Sequence, residues 1–228
     1  MVETMVKEKM AGDDITTKPM KLPVFLPEDI LTYLFGTLGM IIEDEAVNKF
    51  WEHAKRYDCP WKGISPDGQH LPLGLYGDGA KYAPTGEKII AVFLNVMLWS
   101  PKSSRMSRWL LFSVEQDMSL GPATFRPLVA PIVESLCRCF NGIDVGGQTI
   151  KFSVAELRGD WEWHVNFLDL TRSWRFSQFC WRCDTSKKPG DPYSFWDLSE
   201  DPEWEQTHVS HGQFLARMIR AETARSFI

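Results

Sequence analysis

The chain lacks a long apolar run. No stretch reaches the roughly 18–20 consecutive apolar residues that a membrane-spanning helix requires, so no membrane partner is expected. The first 21 residues mix Lys, Glu, Asp and Thr and contain no apolar segment of the kind a secretory leader carries. Cysteine is sparse, at five in 228 residues. Without a leader, that number predicts an intracellular protein in a reducing compartment rather than a disulfide-stapled scaffold. An excess of positive charge is missing as well. At a net charge of −5, the surface as a whole does not advertise nucleic-acid binding, which would need a local basic patch or a metal-neutralised site. Gly77, Gly79 and Gly86 do not form the GxGxxG pattern of a phosphate-cradling loop, and there is no internal repeat or low-complexity tract.

What is present reads as a folded globule. Hydrophobic residues make up 44% of the chain and there are ten tryptophans, which disordered segments do not carry. Residues 1–26 read as a flexible leader. Pro27-Glu28-Asp29 then opens a helix with acidic residues in its first turn, and a second helix starts near Asp44, with Val47, Phe50, Trp51 and Ala54 spaced three and four apart. The pattern turns to strands at Leu71–Gly77, Lys88–Leu98 and Trp109–Val114. Pro122 to Phe140 has helical spacing, with the regular helix expected from about Pro131 because proline fits only near a helix start. Val145-Gly146-Gly147-Gln148 signals a tight hairpin. A strand then runs from Ile150 to Gly159, and Trp161 to Trp174 reads as helix.

Two aspartates stand at strand ends. Asp78 closes the first strand and Asp160 follows the last. Magnesium takes oxygen ligands, commonly one or two carboxylates plus substrate phosphates, and two metals roughly 4 Å apart activate an attacking oxygen and stabilise a leaving one. Neighbouring strands would let this pair hold Mg2+ or Mn2+. The competing reading is that both are turn aspartates beside glycines. No clear third carboxylate accompanies them: Glu134, Glu162, Glu203, Glu205 and Glu222 all read as ordinary surface acids.

The second constellation is Cys180-Trp181-Arg182-Cys183 followed by His208 and His211. A two-residue gap lets both thiolates reach one ion, and two histidines three apart share a helix face, as in a closed structural Zn2+ site. The 24 residues between Cys183 and His208 exceed the usual finger spacing, and two buried or reactive thiols with two solvated histidines fit the same residues. The third constellation is cationic. Lys102, Arg105 and Arg108 lie in the loop after the second strand, and Arg172, Arg175 and Arg182 alternate with tryptophans further on. Arginines and lysines neutralise phosphates and exposed aromatics stack bases, although such residues also make ordinary cores and solvated faces.

The segment from about residue 72 to 183, with "LYGDGAKY", "EKIIAVFLNVMLWSPKSSRMSRWLL" and "VAELRGDWEWHVNFLDLTRSWRFSQFCWRCD", resembles the DDE-type catalytic core of Plavaka-like eukaryotic DNA transposases. It is also similar to multicopy proteins of dinoflagellate algae. The resemblance implies an α/β (α+β), RNase-H-like mixed sheet with flanking helices, acids at Asp78 and Asp160, and a CxxC knuckle at Cys180 and Cys183. It further implies DNA as partner and a nuclear location. The expected organisation is a leader (1–26), N-terminal helices (27–62), the core (70–175) and a zinc-knuckle-like appendage with a C-terminal helix (176–228). Such families carry a third acid after the knuckle, and none is evident before Ile228, so the expected function is a DNA-processing core that cleaves or transfers strands, or a truncated or domesticated copy of one. The alternative is a non-catalytic zinc-knuckle module that binds nucleic acid or protein.

Overall fold

A computed structural model describes residues 1–9, 15–56, 68–84, 86–103, 106–168, 170–173, 175–210 and 213. Arg105, Trp174, His211, Glu222 and the expected C-terminal helix lie outside the described residues. The chain forms two compact units, Met1–Arg158 and Gly159–Ile228. Among the described residues no helix is long and apolar enough to cross a membrane.

The first unit is a mixed α+β structure. Its opening residues are not a loose leader: β1 (Val2–Lys9) and β2 (Ile15–Leu22) form an antiparallel hairpin. Thr4 and Val6 are buried on β1, and two reciprocal bonds fasten the strand to α3 (Pro122–Asn141). Thr4 Oγ1 donates to the Thr124 carbonyl at 2.7 Å, and Thr124 Oγ1 donates to the Met5 carbonyl at 2.7 Å.

Helix α3 starts at Pro122, nine residues earlier than its prolines suggest, with Pro127 and Pro131 inside it. Each removes an i→i−4 bond and strains the helix. The stripe Phe125, Leu128, Ile132 and Cys139 is buried on one side, and that burial outweighs the local penalty. The Ala123 carbonyl, which Pro127 deprives of its usual donor, is approached by Thr4 Oγ1 at 3.5 Å.

Helix α1 (Pro27–Thr32) has proline at its start and Glu28 and Asp29 in its first turn, and it runs into a π-helical turn at Tyr33–Thr37. Glu28 grips Arg138 of α3 through two bonds, 2.5 Å from Nε and 2.9 Å from Nη2. Helix α2 (Asp44–Arg56) buries Val47, Trp51 and Ala54, and Trp51 Nε1 donates to the His70 carbonyl at 2.7 Å.

The main sheet contains β3 (Leu71–Lys81), β4 (Lys88–Val96), β5 (Trp109–Glu115) and β8 (Phe152–Gly159), in the order β5-β4-β3-β8. The first three are an antiparallel meander, with a register shift at Val92/Phe93 that leaves Leu111 of β5 as the extra residue. The sheet is mixed: the Leu71 N–H donates to the Lys151 carbonyl at 2.9 Å, which joins the start of β3 to the start of β8. Before β8 come β6 (Ile143–Val145) and β7 (Gln148–Ile150), whose turn places Gly146 and Gly147 at φ +63° and +87°. This is the left-handed pair that an expected two-residue hairpin turn requires.

Side chains alternate across a sheet. Leu73, Val92, Leu94, Val96, Phe112 and Val114 are buried on one face, and Phe112 meets Phe125 of α3 there at 6.3 Å. The opposite face carries Tyr76, Asp78, Phe93 and Asn95, all half-buried.

The second unit has one helix among its described residues, α4 (Trp161–Leu168), shorter than the sequence suggests, followed by irregular chain and a 3-10 turn at Glu203–Thr207. Trp163 and Phe167 stack at 4.4 Å within α4.

Candidate functional site

On the half-buried face of the main sheet, Tyr76 and Asp78 are one alternation apart on β3. The Tyr76 hydroxyl donates to Asp78 Oδ2 at 2.6 Å, and this bond is the main reason the phenol titrates above its usual range. The guanidinium of Arg108 lies over the Tyr76 ring, 4.2 Å from its centroid. Asn95 sits opposite Gly74 in the β3–β4 register. Its amide lies so close that a Cβ at position 74 would stand 2.6 Å from Asn95 Oδ1. That oxygen is buried with no hydrogen-bond partner among the described residues, an arrangement that costs about 1–3 kcal/mol. Tyr76, Asn95, Ser107, Arg108 and Arg158 together line a cavity of about 140 Å³. Arg158 is paired with Glu156, two residues back on β8.

Asp160 is the residue directly after β8. Its Oδ1 accepts from the Trp163 N–H at 2.6 Å, and its carbonyl accepts from the His164 N–H at 3.1 Å. It is therefore the N-cap of α4, a position aspartate favours because a carboxylate oxygen satisfies an orphan helix donor. Burial holds the His164 imidazole below its ordinary titration range, and the Asp160 carboxylate opposes that shift.

The CxxC segment is a compact knuckle. The Arg182 N–H points at Cys180 Sγ at 3.3 Å. Burial, followed by the neighbouring Cys180, pushes the Cys183 thiol up to about 11. Two bonds lay the 207–209 segment beside the knuckle: Asp184 N–H to Thr207 Oγ1 and Val209 N–H to the Arg182 carbonyl, both 2.8 Å. His208 lies between them and is exposed. Among the described residues no three His, Cys, Asp or Glu side chains form a metal-holding group. For zinc, the described residues thus supply two sulfur donors and no third beside them, and His211 lies outside the described residues. For magnesium, the donor chemistry fits at Asp78 and Asp160 individually, since each carboxylate commits one oxygen to the bonds above.

The cationic set divides. Arg172 is not a surface contact for phosphates. Its side chain is only 15% exposed, Nη1 donates to the carbonyls of Cys180 (3.1 Å) and Cys183 (2.6 Å), and Nη2 pairs with Asp184 at 2.8 Å. It is a strut that holds the knuckle's carbonyls together. Arg175, Arg182, Lys102 and Arg108 are exposed, and Arg105 lies outside the described residues.

The sequence reading missed Arg158, Asn95 and Tyr76. A polar asparagine inside an otherwise apolar central strand was the available signal. No protein-family model matches the chain, and no curated protein matches it in sequence.

Proposed function

We propose that the chain is a transposase-derived, RNase-H-like DNA-processing core in which Asp78 and Asp160 bind Mg2+ or Mn2+ for phosphodiester cleavage or strand transfer. One observation carries this reading: in the order β5-β4-β3-β8, the strand bearing Asp78 is the neighbour of the strand that Asp160 follows. Three meandering strands with a fourth added beside the first is the arrangement expected of that fold, and carboxylates are the ligands that divalent ions take in such chemistry. The ions, when bound, would supply Lewis-acid stabilisation of the phosphoryl oxygens. The chain's residues would orient the carboxylates, Asp78 through the Tyr76 hydroxyl and Asp160 through the Trp163 amide.

The test is metal-dependent nicking of plasmid and hairpin DNA by the full chain, compared with Asp78→Asn and Asp160→Asn. Both replacements are nearly isosteric: asparagine still accepts from Tyr76 and still caps a helix, so loss of activity reads chemistry and not folding. Nicking in Mg2+ or Mn2+ that falls at least a hundredfold in each variant supports the proposal. Nicking that survives both substitutions overturns it.

A second reading, a non-catalytic zinc-knuckle binding module, is favoured by the paired thiols and by the lack of a third acid among the described residues. DNA or protein binding without nicking, weakened by Cys180→Ser, would select it.

A further inference from the structure

We propose that the cavity lined by Tyr76, Asn95, Ser107, Arg108 and Arg158 is a binding site for a single phosphate group, carried by a nucleic-acid strand or by free phosphate. Its 140 Å³ falls well below the roughly 300–1,000 Å³ of pockets that take drug-sized ligands. The space suits a small polyatomic ion and excludes a nucleoside. Among the described residues that line it there are two guanidiniums and no carboxylate.

The nearest acids are already engaged. Asp78 accepts a hydrogen bond from the Tyr76 hydroxyl, and Glu156 pairs with Nη2 of Arg158. Each guanidinium has five N–H donors in a planar fork, so one ion pair leaves Arg158 further donors, and the Arg108 guanidinium, 4.2 Å from the Tyr76 ring centroid, has more donors than its contact with that one side chain can use. Guanidinium forks match phosphate oxygens in pairs, and two of them balance a dianion better than a carboxylate. The Asn95 amide adds adaptability. Its Oδ1 is buried beside Gly74 with no hydrogen-bond partner among the described residues, and rotation of the amide presents Nδ2 donors to an oxyanion instead.

The site lies on the same sheet face as Asp78 and deepens the reading above, on which it rests only for the nucleic-acid source. It needs no metal.

The experiment is isothermal titration calorimetry on the full chain in EDTA at fixed ionic strength. The titrants are inorganic phosphate, a single-stranded oligonucleotide with a 5′-phosphate and the same strand without it, each against a chloride blank. The expected result is one phosphate per chain, with affinity reduced at least tenfold by Arg108→Gln and by Arg158→Gln, reduced less by Arg108→Lys, and unchanged by Lys49→Gln on α2. Both arginines are exposed, and far-UV circular dichroism checks that each variant folds. Oligonucleotide binding that weakens with the same two arginines assigns the phosphate to a strand. Phosphate binding with no arginine-dependent oligonucleotide binding assigns it to the free ion. No binding above the chloride blank, or wild-type affinity in both Gln variants, overturns the proposal. Because divalent metal is absent, this test fails or succeeds independently of the nicking assay.

Discussion

The Tyr76 hydroxyl donates a 2.6 Å hydrogen bond to Asp78 Oδ2, two residues further along the same strand. The phenol thereby titrates above its ordinary value near 10, chiefly because the bond to the carboxylate is lost when the proton leaves. The sign follows from linkage. Between the unfolded and the raised folded value, the folded chain keeps a proton that the unfolded chain has lost. The stabilisation is therefore complete below about pH 10 and disappears as pH rises through the folded value. Ultraviolet titration of the phenols should show one tyrosine of elevated range that returns toward normal in Asp78→Ala. Tyr82, bonded to Glu115 at 2.8 Å, is raised for the same reason, so the comparison must be made in a Tyr82→Phe background. An unchanged titration in Asp78→Ala would mean that the bond does not form in solution.

Gly74 and Asn95 make a second coupled pair. A methyl group at position 74 would stand 2.6 Å from Asn95 Oδ1, closer than van der Waals contact allows, so Gly74→Ala should destabilise by about 1–3 kcal/mol, as overpacking does. In Asn95→Ala the obstructing amide is gone, and so is its unpartnered oxygen. The double variant should then recover most of the loss, with a coupling energy of about 1 kcal/mol or more in a denaturant double-mutant cycle. Simple additivity of the two substitutions would contradict the close approach.

The hairpin clasp gives a third expectation. Thr124 is fully buried; its hydroxyl donates to the Met5 carbonyl and accepts from the Leu120 N–H at 2.9 Å. Thr124→Val keeps the shape and leaves both backbone groups without that partner, at a cost of about 1–3 kcal/mol. Thr124→Ser keeps the hydroxyl and should lose less. If valine and serine cost the same, the hydroxyl is not what holds β1 to α3.

The difference between what the sequence disclosed and what it concealed has a physical pattern. The β3–β5 meander and the Gly146-Gly147 turn were legible because their signals are local: alternating or continuous apolar runs, and glycines where φ must be positive. The β1–β2 hairpin was not, because Thr and Lys recur in both strands, Glu in β1 and Pro in β2, and the apolar partner of β1, α3, lies more than a hundred residues away. The start of α3 was hidden by Pro127 and Pro131, whose local veto is overridden by burial of the stripe from Phe125 to Cys139. Arg172 looked like a surface cation because sequence does not reveal that Asp184 and two carbonyls will surround it. Asp160 does directly follow β8, but Asp78 does not close its strand: β3 runs on to Lys81, with Asp78 paired to Ala91, and the hydrogen-bond duties of both acids to Tyr76 and Trp163 required coordinates.

The cysteines provide the last prediction. Cys183 is 3% exposed, and its thiol is pushed up to about 11 by burial; Cys139 is fully buried and raised to about 11 for the same reason. Cys137, two residues from Cys139, faces solvent. The thiolate is the reactive species, and a pKa of about 11 leaves roughly one thiol in a thousand ionised at pH 8. Alkylation of the native protein at pH 8, mapped by peptide mass spectrometry, should therefore label Cys137 at least tenfold faster than Cys139 or Cys183. Metal adds a second readout at the knuckle. Zinc binding requires thiolates and releases protons, so added Zn2+ that engages Cys180 and Cys183 should slow the labelling of both, leave Cys137 unchanged, and lose its effect on Cys180 in Cys183→Ser. Zinc that protects neither knuckle thiol would remove the metal from this segment and leave two neighbouring thiols on a turn whose carbonyls Arg172 holds.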